Sequence, residues 1–522
     1  MAANTMEASK SKENDFVGQA YERVLFYFGE LCKIPHGSGN EKALADYLVE
    51  FAKQHGLDWK RSPDDEVVRG KKTHNVVISK PATKGYEACA PVIMQGHIDM
   101  VCQKTPESTH DFEKDGIKII VDGDKMTADG TTLGADDGIG VACALAVLEG
   151  GEGIHHPPIQ ALFTSDEEAG MTGASSVTAE LLDGVENKRL INIDTEIEGT
   201  LTNACAGGLD CNFDLPVTYV SLPENYALVK IDISGLQGGH SGIEIYKGHA
   251  NANKLMARVL GAIEEALLIK GNVAGSPLYL VAYVGGDKRN VITKAATATI
   301  AVPSERSTEV IDLANACCKI FREEYKDRDA DVALSASVIT SDKPVSVVSQ
   351  EATSAFINAI LRIQDGVITW LNKDTDLVET SCNLGIVRLD DKGLFFSSMI
   401  RSFYRPKKLE VARKMRKIAK RVGANFVTEG EVPEWAPAPE SELVKRFEHA
   451  YQTAFGTLPT VESIHAGLEC GQFANKFPNM DMIALGPTMT GVHTTEETLY
   501  LESTRKVVEL LLTVLDQMNT NP

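Results

Sequence analysis

Short apolar runs recur along this chain, and several of them end in a polar, glycine-flanked segment. The run APVIMQG, residues 90–96, predicts a strand entering His97; PIQALFTS, residues 158–165, and LINI, residues 190–193, predict two more, and MIALG, residues 482–486, a fourth near the C-terminus. Between them lie stretches of helical period. Ser38 followed by Glu41 forms a capping box for the helix ALADYLVEFAKQHG, with Gly56 as its stop, and IGVACALAVLEG, residues 139–150, predicts a buried helix directly after ADDG. Strand–helix–strand alternation predicts an α/β layer structure. The polar residues at its strand ends are where open sheets of this kind place ligands.

The pattern changes in the middle of the chain. FDLPVTYV, YALVKIDISGL, LYLVAYVGG and VITKAATATIAV alternate with period two, and NANKLMARVLGAIEEALLI and ATSAFINAILRIQDGVI are helical between them. A chain of 522 residues exceeds one ordinary core. The expected organisation is a flexible tail over 1–16, a first part of the α/β domain over 17–206, an inserted α+β domain over 207–403, and a second part of the α/β domain over 404–522. VARKMRKIAKRVG and SELVKRFEHAYQTAFG are read as the return. No internal repeat stands out.

Composition narrows the function. A formal net charge of −21 argues against a nucleic-acid backbone as partner. The polar start MAANTMEASKSKENDF has no apolar core of a secretory signal, and no apolar run approaches a membrane span. Ten scattered cysteines without a recurring C-x-x-C suit a reducing compartment and small buried side chains. A soluble, cytoplasmic protein is expected.

The strand-end segments carry the chemistry. They are QGHIDM, TTLGADDGIG, FTSDEEAG, LINIDTEIEG and GPTMTGVHTTEE. They offer His97, Asp136, Glu167, Glu168, Asp194 and His493, the donor types of a metal-assisted hydrolase. His97 and Asp99 share one face of a strand, so Asp99 is placed to orient the imidazole. In ADDG either Asp136 or Asp137 is placed to bridge two metals through its two oxygens. In SDEEAG, Glu168 suits a metal and Glu167 suits proton transfer from water.

Taken in order, QGHIDMVCQK, HDFEKDGI, GTTLGADDGIGVACALAVLE, SDEEAGMTGA, IDTEIEG, GLQGGHSGIEI, NANKLMARVL, HAGLECG and GPTMTGVHTTEE resemble the M20 metallopeptidases, and among them the dipeptidases acting on aminoacyl-histidine substrates. The resemblance covers nearly the whole chain after the tail. It implies an α/β catalytic domain with a mixed central sheet, interrupted by an α+β lid. It implies that Asp136 bridges two metals, with His97 and Asp194 completing one site and Glu168 and His493 the other. Asp99 then orients His97, Glu167 is the general base, and a cis peptide joins Asp136 to Asp137. His240 in GGHSG becomes the lid's donor to the tetrahedral oxyanion. Arg401 is the candidate clamp for a substrate carboxylate, with Arg405 a local competitor. Glu469 is placed to meet a substrate ammonium and Asn290 to add an oxyanion or backbone contact, and His465 falls near the site. Tyr246 stands where relatives often carry a histidine.

The implied reaction is hydrolysis of unblocked L-dipeptides, including Xaa-His and β-alanyl-histidine. Two Zn²⁺ ions are expected, with Co²⁺ or Mn²⁺ also suited to N/O donors, and the expected state is a homodimer. The competing readings are another M20 tripeptidase, carboxypeptidase or N-acyl amino-acid deacylase, an inactive metal-binding protein, and a scaffold.

Overall fold

The computed structural model describes residues 2–63, 65–186, 188–270, 277–341, 345–438 and 440–519. The chain divides into two compact units. The first comprises residues 1–205, 437–463 and 468–522; the second comprises 206–436 and 464–467.

The first unit is built on an eight-stranded sheet. Its order is Asp58–Arg61, Val76–Lys80, Ile159–Thr164, Val92–His97, Arg189–Asn192, Asp481–Ala484, Thr200–Cys205 and Thr460–Ile464. The four inner strands from Ile159–Thr164 to Asp481–Ala484 run parallel and the flanking pairs Val76–Lys80 and Thr200–Cys205 join antiparallel, so the sheet is mixed. The parallel strands read as continuous apolar runs because both faces are covered: every residue of Val92–His97 and of Ile159–Thr164 is buried. One face is closed by the helices Ala2–Leu31, Ala135–Glu149 and Leu501–Asp516, whose side chains share a core with Val92, Met94, Ala161, Phe163 and Ile191. Ala135–Glu149 is apolar nearly all round and buried nearly all round. Each of its fully buried Leu, Ile or Val side chains contributes roughly 1.5–3 kcal/mol relative to exposure. Alternation then sends Ile93, Gln95 and His97 to the opposite face.

The second unit carries a nine-stranded antiparallel sheet. Its main path runs Ala333–Ile339, Tyr226–Ser234, Ala296–Pro303, Tyr279–Gly285, Leu377–Asp390, Gly393–Ser402, Gly207–Leu215 and Asn425–Val432, with Gly366–Asn372 pairing to Leu377–Asp390. Helices Ala252–Lys270, Ser307–Glu324, Gln350–Arg362 and Arg405–Val422 share its apolar core.

Four expectations are corrected. Residues 2–15 belong to the helix Ala2–Leu31 and are not an irregular tail. The inserted unit extends to residue 436, past the expected return at 404, because Asn425–Val432 pairs with Gly207–Leu215 and helix Arg405–Val422 packs on that sheet. The helix predicted over 352–368 ends at Arg362, and Gly366, at φ +81°, opens a strand. Ser38 does not cap the helix Lys42–Gln54; its hydroxyl donates to Asp99 Oδ2 at 2.8 Å, a partner outside the local sequence. All ten cysteines are free thiols, and all but Cys89 and Cys102 are buried. No helix among the described residues is long and apolar enough to cross a membrane.

Candidate metal centre

The expected donors meet at the end of the mixed sheet. His97 closes the strand Val92–His97, Glu167 and Glu168 follow Ile159–Thr164, and Asp194 follows Arg189–Asn192. Asp136 lies in the first turn of helix Ala135–Glu149, a cis peptide joins it to Asp137, and both residues depart from helical backbone angles. His493 comes from the loop after Met489–Thr490.

Asp136 is the centre of the arrangement. Its Oδ1 stands 3.0 Å from His97 Nε2, which is also 3.7 Å from Asp194 Oδ1. Its Oδ2 stands 3.1 Å from His493 Nε2, which is 2.8 Å from Glu168 Oε1. One carboxylate thus turns its two oxygens toward two separate imidazole–carboxylate pairs. Donor atoms of His97, Asp136 and Glu168 also fall within 4.8 Å of one another. His97 Nδ1 donates to the backbone carbonyl of Asp99 at 3.0 Å, so a neutral ring keeps the Nε2 lone pair facing the carboxylates.

The electrostatics of this donor set call for cations. Burial opposes ionisation of Asp136, but hydrogen bonds from His493 and His97 win and hold its carboxyl well below the usual range. Asp194 is driven well above that range by burial and then by Asp137, Asp136 and Glu167, against the attraction of His97. Hydrogen bonds to Asp136 and Glu168 push His493 up to about 10. His97 is raised well above the imidazole value because Asp194, Asp136 and Asp99 overcome its burial. Four carboxylates and two imidazoles thus crowd one small volume. Divalent ions relieve that crowding, and nitrogen and oxygen donors of these types fit them.

Glu167 is half-buried beside this cluster. Burial is the largest cause raising its carboxyl well above the usual range, with Glu469, Glu168 and Asp136 adding to it and His97 opposing. Glu469 is fully buried at the start of helix Glu469–Lys476; its Oε2 accepts from Gln95 Nε2 at 2.5 Å and Thr164 Oγ1 at 2.7 Å, while Oε1 has no hydrogen-bond partner. Burial pushes it up to about 7.

In the second unit, His240 Nδ1 accepts the Ile243 N–H at 3.3 Å, leaving Nε2 to carry the proton of a neutral ring. Burial and the nearby Arg401 hold it down to about 4. Arg401 is buried; among the described residues it makes no ion pair, its Nε has no partner, and burial lowers it to about 10 against the attraction of Asp210. Its competitor Arg405 is exposed and already pairs with Glu431 at 2.8 Å. His465 Nε2 shares a 2.8 Å hydrogen bond with Ser381 Oγ, and its Nδ1 is without a partner. Asn290 is exposed on a turn alongside the GGHSG segment, and its carbonyl accepts the Ser241 N–H at 2.9 Å. Tyr246 is exposed on the short helical turn Ile245–Lys247.

The model of peptidase family M20/M25/M40 matches residues 93–517. This chain belongs to that family. It is 37% identical over 491 residues to the cytosol non-specific dipeptidase of Escherichia coli, covering 94% of this chain and 96% of the relative. It superposes with a TM-score of 0.83 on the aminoacylhistidine dipeptidase of Vibrio alginolyticus, at 35% identity and covering 95% and 96% of the two chains. A Staphylococcus aureus tripeptidase, 17% identical with a TM-score of 0.54 over 96% of this chain and 98% of its own, shares the fold. As a member of the M20/M25/M40 peptidases, the protein is a peptide-bond hydrolase with a catalytic unit interrupted by an inserted lid unit.

The candidate centre is held in place by contacts that the sequence did not show. Asp137 is turned away from the imidazoles and is fully buried; its carboxylate accepts the backbone N–H of His97 at 3.1 Å and of Gly140 at 3.2 Å. A Cβ at Gly96 or Gly140 would collide with that carboxylate, so both glycines are required for close approach. Asp99 was expected to orient His97 with its carboxylate, but that contact is 3.6 Å. The carboxylate instead takes the N–H groups of Glu167 at 2.9 Å and Glu168 at 3.2 Å along with the Ser38 hydroxyl, so it places the two glutamates while its carbonyl orients the histidine. Glu497 grips the turn before Asp136 through backbone N–H groups. The second of two adjacent acids in HTTEET looks like a solvated loop residue, and only the tertiary contact reveals it.

Gly242 marks where His240, Arg401 and His465 converge. A Cβ there would lie 2.6 Å from the His465 carbonyl oxygen, 2.9 Å from His240 Cε1 and 3.2 Å from Arg401 Nε. Gly242→Ala is therefore expected to lower kcat/KM on the best peptide by roughly tenfold or more, about 1.4 kcal/mol, while metal content measured by elemental analysis stays at the wild-type level. Unchanged kinetics in this variant would separate this junction from turnover.

Proposed function

We propose that this peptidase hydrolyses unblocked L-dipeptides, Xaa-His and β-alanyl-histidine among them, as a dinuclear metal enzyme. The observation that carries the reading is Asp136, which presents one oxygen to His97 and Asp194 and the other to His493 and Glu168. Those five side chains hold the ions. Zn²⁺ is the metal this reading favours, and Co²⁺ or Mn²⁺ also suits the donors. Bound there, the ions lower the pKa of water and polarise the scissile carbonyl.

The chain's own groups do the rest. Glu167 takes a proton from the attacking water and returns it to the leaving amine; burial and the neighbouring carboxylates Glu469, Glu168 and Asp136 raise its carboxyl above the usual range, which favours proton acceptance. His240 donates from Nε2 to the oxyanion, a role that a neutral ring with Nδ1 already occupied fills without titrating near pH 7. Asn290, next to the His240 segment, adds a polar contact to the same group. Arg401, a buried cation with no ion-pair partner among the described residues, takes the substrate carboxylate by its planar fork. Glu469 offers its unpartnered Oε1 to the substrate ammonium. The names of the two full-length relatives, both dipeptidases, support short substrates over the tripeptidase and deacylase readings. The same reading carries a cytoplasmic homodimer.

Arg401→Ala is expected to abolish most of the preference for a free terminal carboxylate, a loss of roughly 10–100-fold in kcat/KM for the free dipeptide with little change for its C-terminal amide, as expected for a lost charge-assisted pair. Equal discrimination in variant and wild type would move the clamp to another residue. The function itself is tested by a dipeptide panel including β-alanyl-histidine and N-blocked controls, run with metal-free and Zn²⁺-reconstituted protein. Cleavage restored by metal and confined to unblocked dipeptides supports the reading. Cleavage confined to N-acylated substrates would make the enzyme a deacylase.

A further inference from the structure

Glu497 joins two loops that each bring a donor to the metal centre. Both of its oxygens are used on one segment. Oε2 accepts the N–H of Leu133 at 2.7 Å and of Gly134 at 3.1 Å; Oε1 accepts that of Ala135 at 2.8 Å and, more weakly, of Asp136 at 3.4 Å. The carboxylate is buried. The first N–H groups of a helix have no partner within it. Here the residue before the helix is Gly134, which has no side chain to cap them. Glu497 supplies the missing acceptor from elsewhere in the chain, and its negative charge suits that end of the helix dipole.

The other end of the connection is equally rigid. Glu497 lies four residues after His493 in GVHTTEE. The loop between them is closed by Thr494 N–H to Gly491 O at 3.1 Å, Thr494 Oγ1 to Gly491 O at 2.6 Å and Glu497 N–H to Thr494 O at 3.2 Å. Directly after Glu497, strand Thr498–Tyr500 pairs with Lys125–Ala128. A displacement of Glu497 therefore moves His493 with it, and a loss of its bonds frees Asp136. These two donors are 357 positions apart in sequence and 3.1 Å apart at their facing atoms.

We propose that Glu497 is the positioning residue of the metal centre: acting through the backbone of residues 133–136, it sets where Asp136 stands relative to His493 and so sets metal affinity. The inference rests on the dinuclear reading above. The test is Glu497→Gln, which keeps shape and packing but places an NH₂ donor against backbone donors. The measurements are Zn²⁺ titration against a competing chelator and amide hydrogen exchange of residues 133–136 in metal-free protein.

The expected result is a folded variant whose Zn²⁺ affinity is about 10–100-fold weaker, in line with losses of groups that support metal ligands, and whose residues 133–136 exchange faster than in the wild type. A role in packing alone would leave both readouts unchanged, and unchanged affinity and exchange overturn the proposal. Where Glu497→Gln does not fold, Glu497→Asp serves: its carboxylate is one methylene short of the N–H groups, the same loss is expected, and wild-type affinity overturns the proposal. Wild-type protein that takes up no metal overturns the proposed function and this inference together. Wild-type protein that takes up metal beside an unaltered Glu497→Gln variant overturns this inference alone.

Discussion

Replacing Asp136 by alanine is expected to empty both metal positions at once and reduce turnover to the level of metal-free protein. The reason is geometric. The two imidazole–carboxylate pairs, His97 with Asp194 and His493 with Glu168, do not share any donor other than Asp136, which gives one oxygen to each. Removing a ligand that served one position would leave the other half filled; removing a shared one leaves each position two donors. Elemental analysis after dialysis checks this. One position retained at full occupancy would show that Asp136 serves a single ion.

Glu167→Gln is expected to do the opposite: to keep the metals and lose the chemistry. Glu167 is not among the atoms facing Asp136 Oδ1 or Oδ2, and its backbone is held by Asp99 independently of its side chain. The amide keeps the shape of the carboxyl but cannot take a proton. A general base contributes roughly 10²–10⁴ in rate, so kcat is expected to fall by about that factor with metal stoichiometry unchanged. A kcat within about threefold of wild type, within what an ordinary contact contributes, would remove Glu167 from the proton-transfer role. The pair of variants is diagnostic together, since metal loss and rate loss separate only if bridge and base are different residues.

Much of this was legible before the fold was known, for a physical reason. A parallel strand buried on both faces leaves an uninterrupted apolar run, and its end is abrupt. The runs before His97, Glu167, Glu168 and Asp194 are of this kind, and their polar successors were therefore visible as donors. The helix Ala135–Glu149 was visible for the same reason. The central antiparallel strands were visible through alternation. Boundaries were less legible. The basic helix Arg405–Val422 reads as an exposed amphipathic helix in either unit, and nothing local says that Asn425–Val432 pairs back to Gly207–Leu215. Ser38 and Glu41 have the spacing of a cap, but the Ser38 hydroxyl is nearer to a buried carboxylate than to its own helix.

Residue type and spacing by themselves determined the α/β unit with its insertion and the candidate donors at its strand ends, because those properties are written in local pattern: burial period, strand-end polarity and glycine placement; the order of the motifs carried the resemblance to the family, and with it the mixed sheet. The tertiary structure sets Asp136 rather than Asp137, as the resemblance implied, facing both imidazoles; it alone decided that Asp99 holds the Glu167–Glu168 backbone, that among the described residues Arg405 has an ion pair and Arg401 does not, and that Glu497 ties Asp136 to the His493 loop. Each of these depends on where a short polar side chain finds its partner across tens or hundreds of positions. Hydrogen-bond direction falls off steeply with distance and angle, so a shift of about one bond length reassigns it, and no local pattern carries that information.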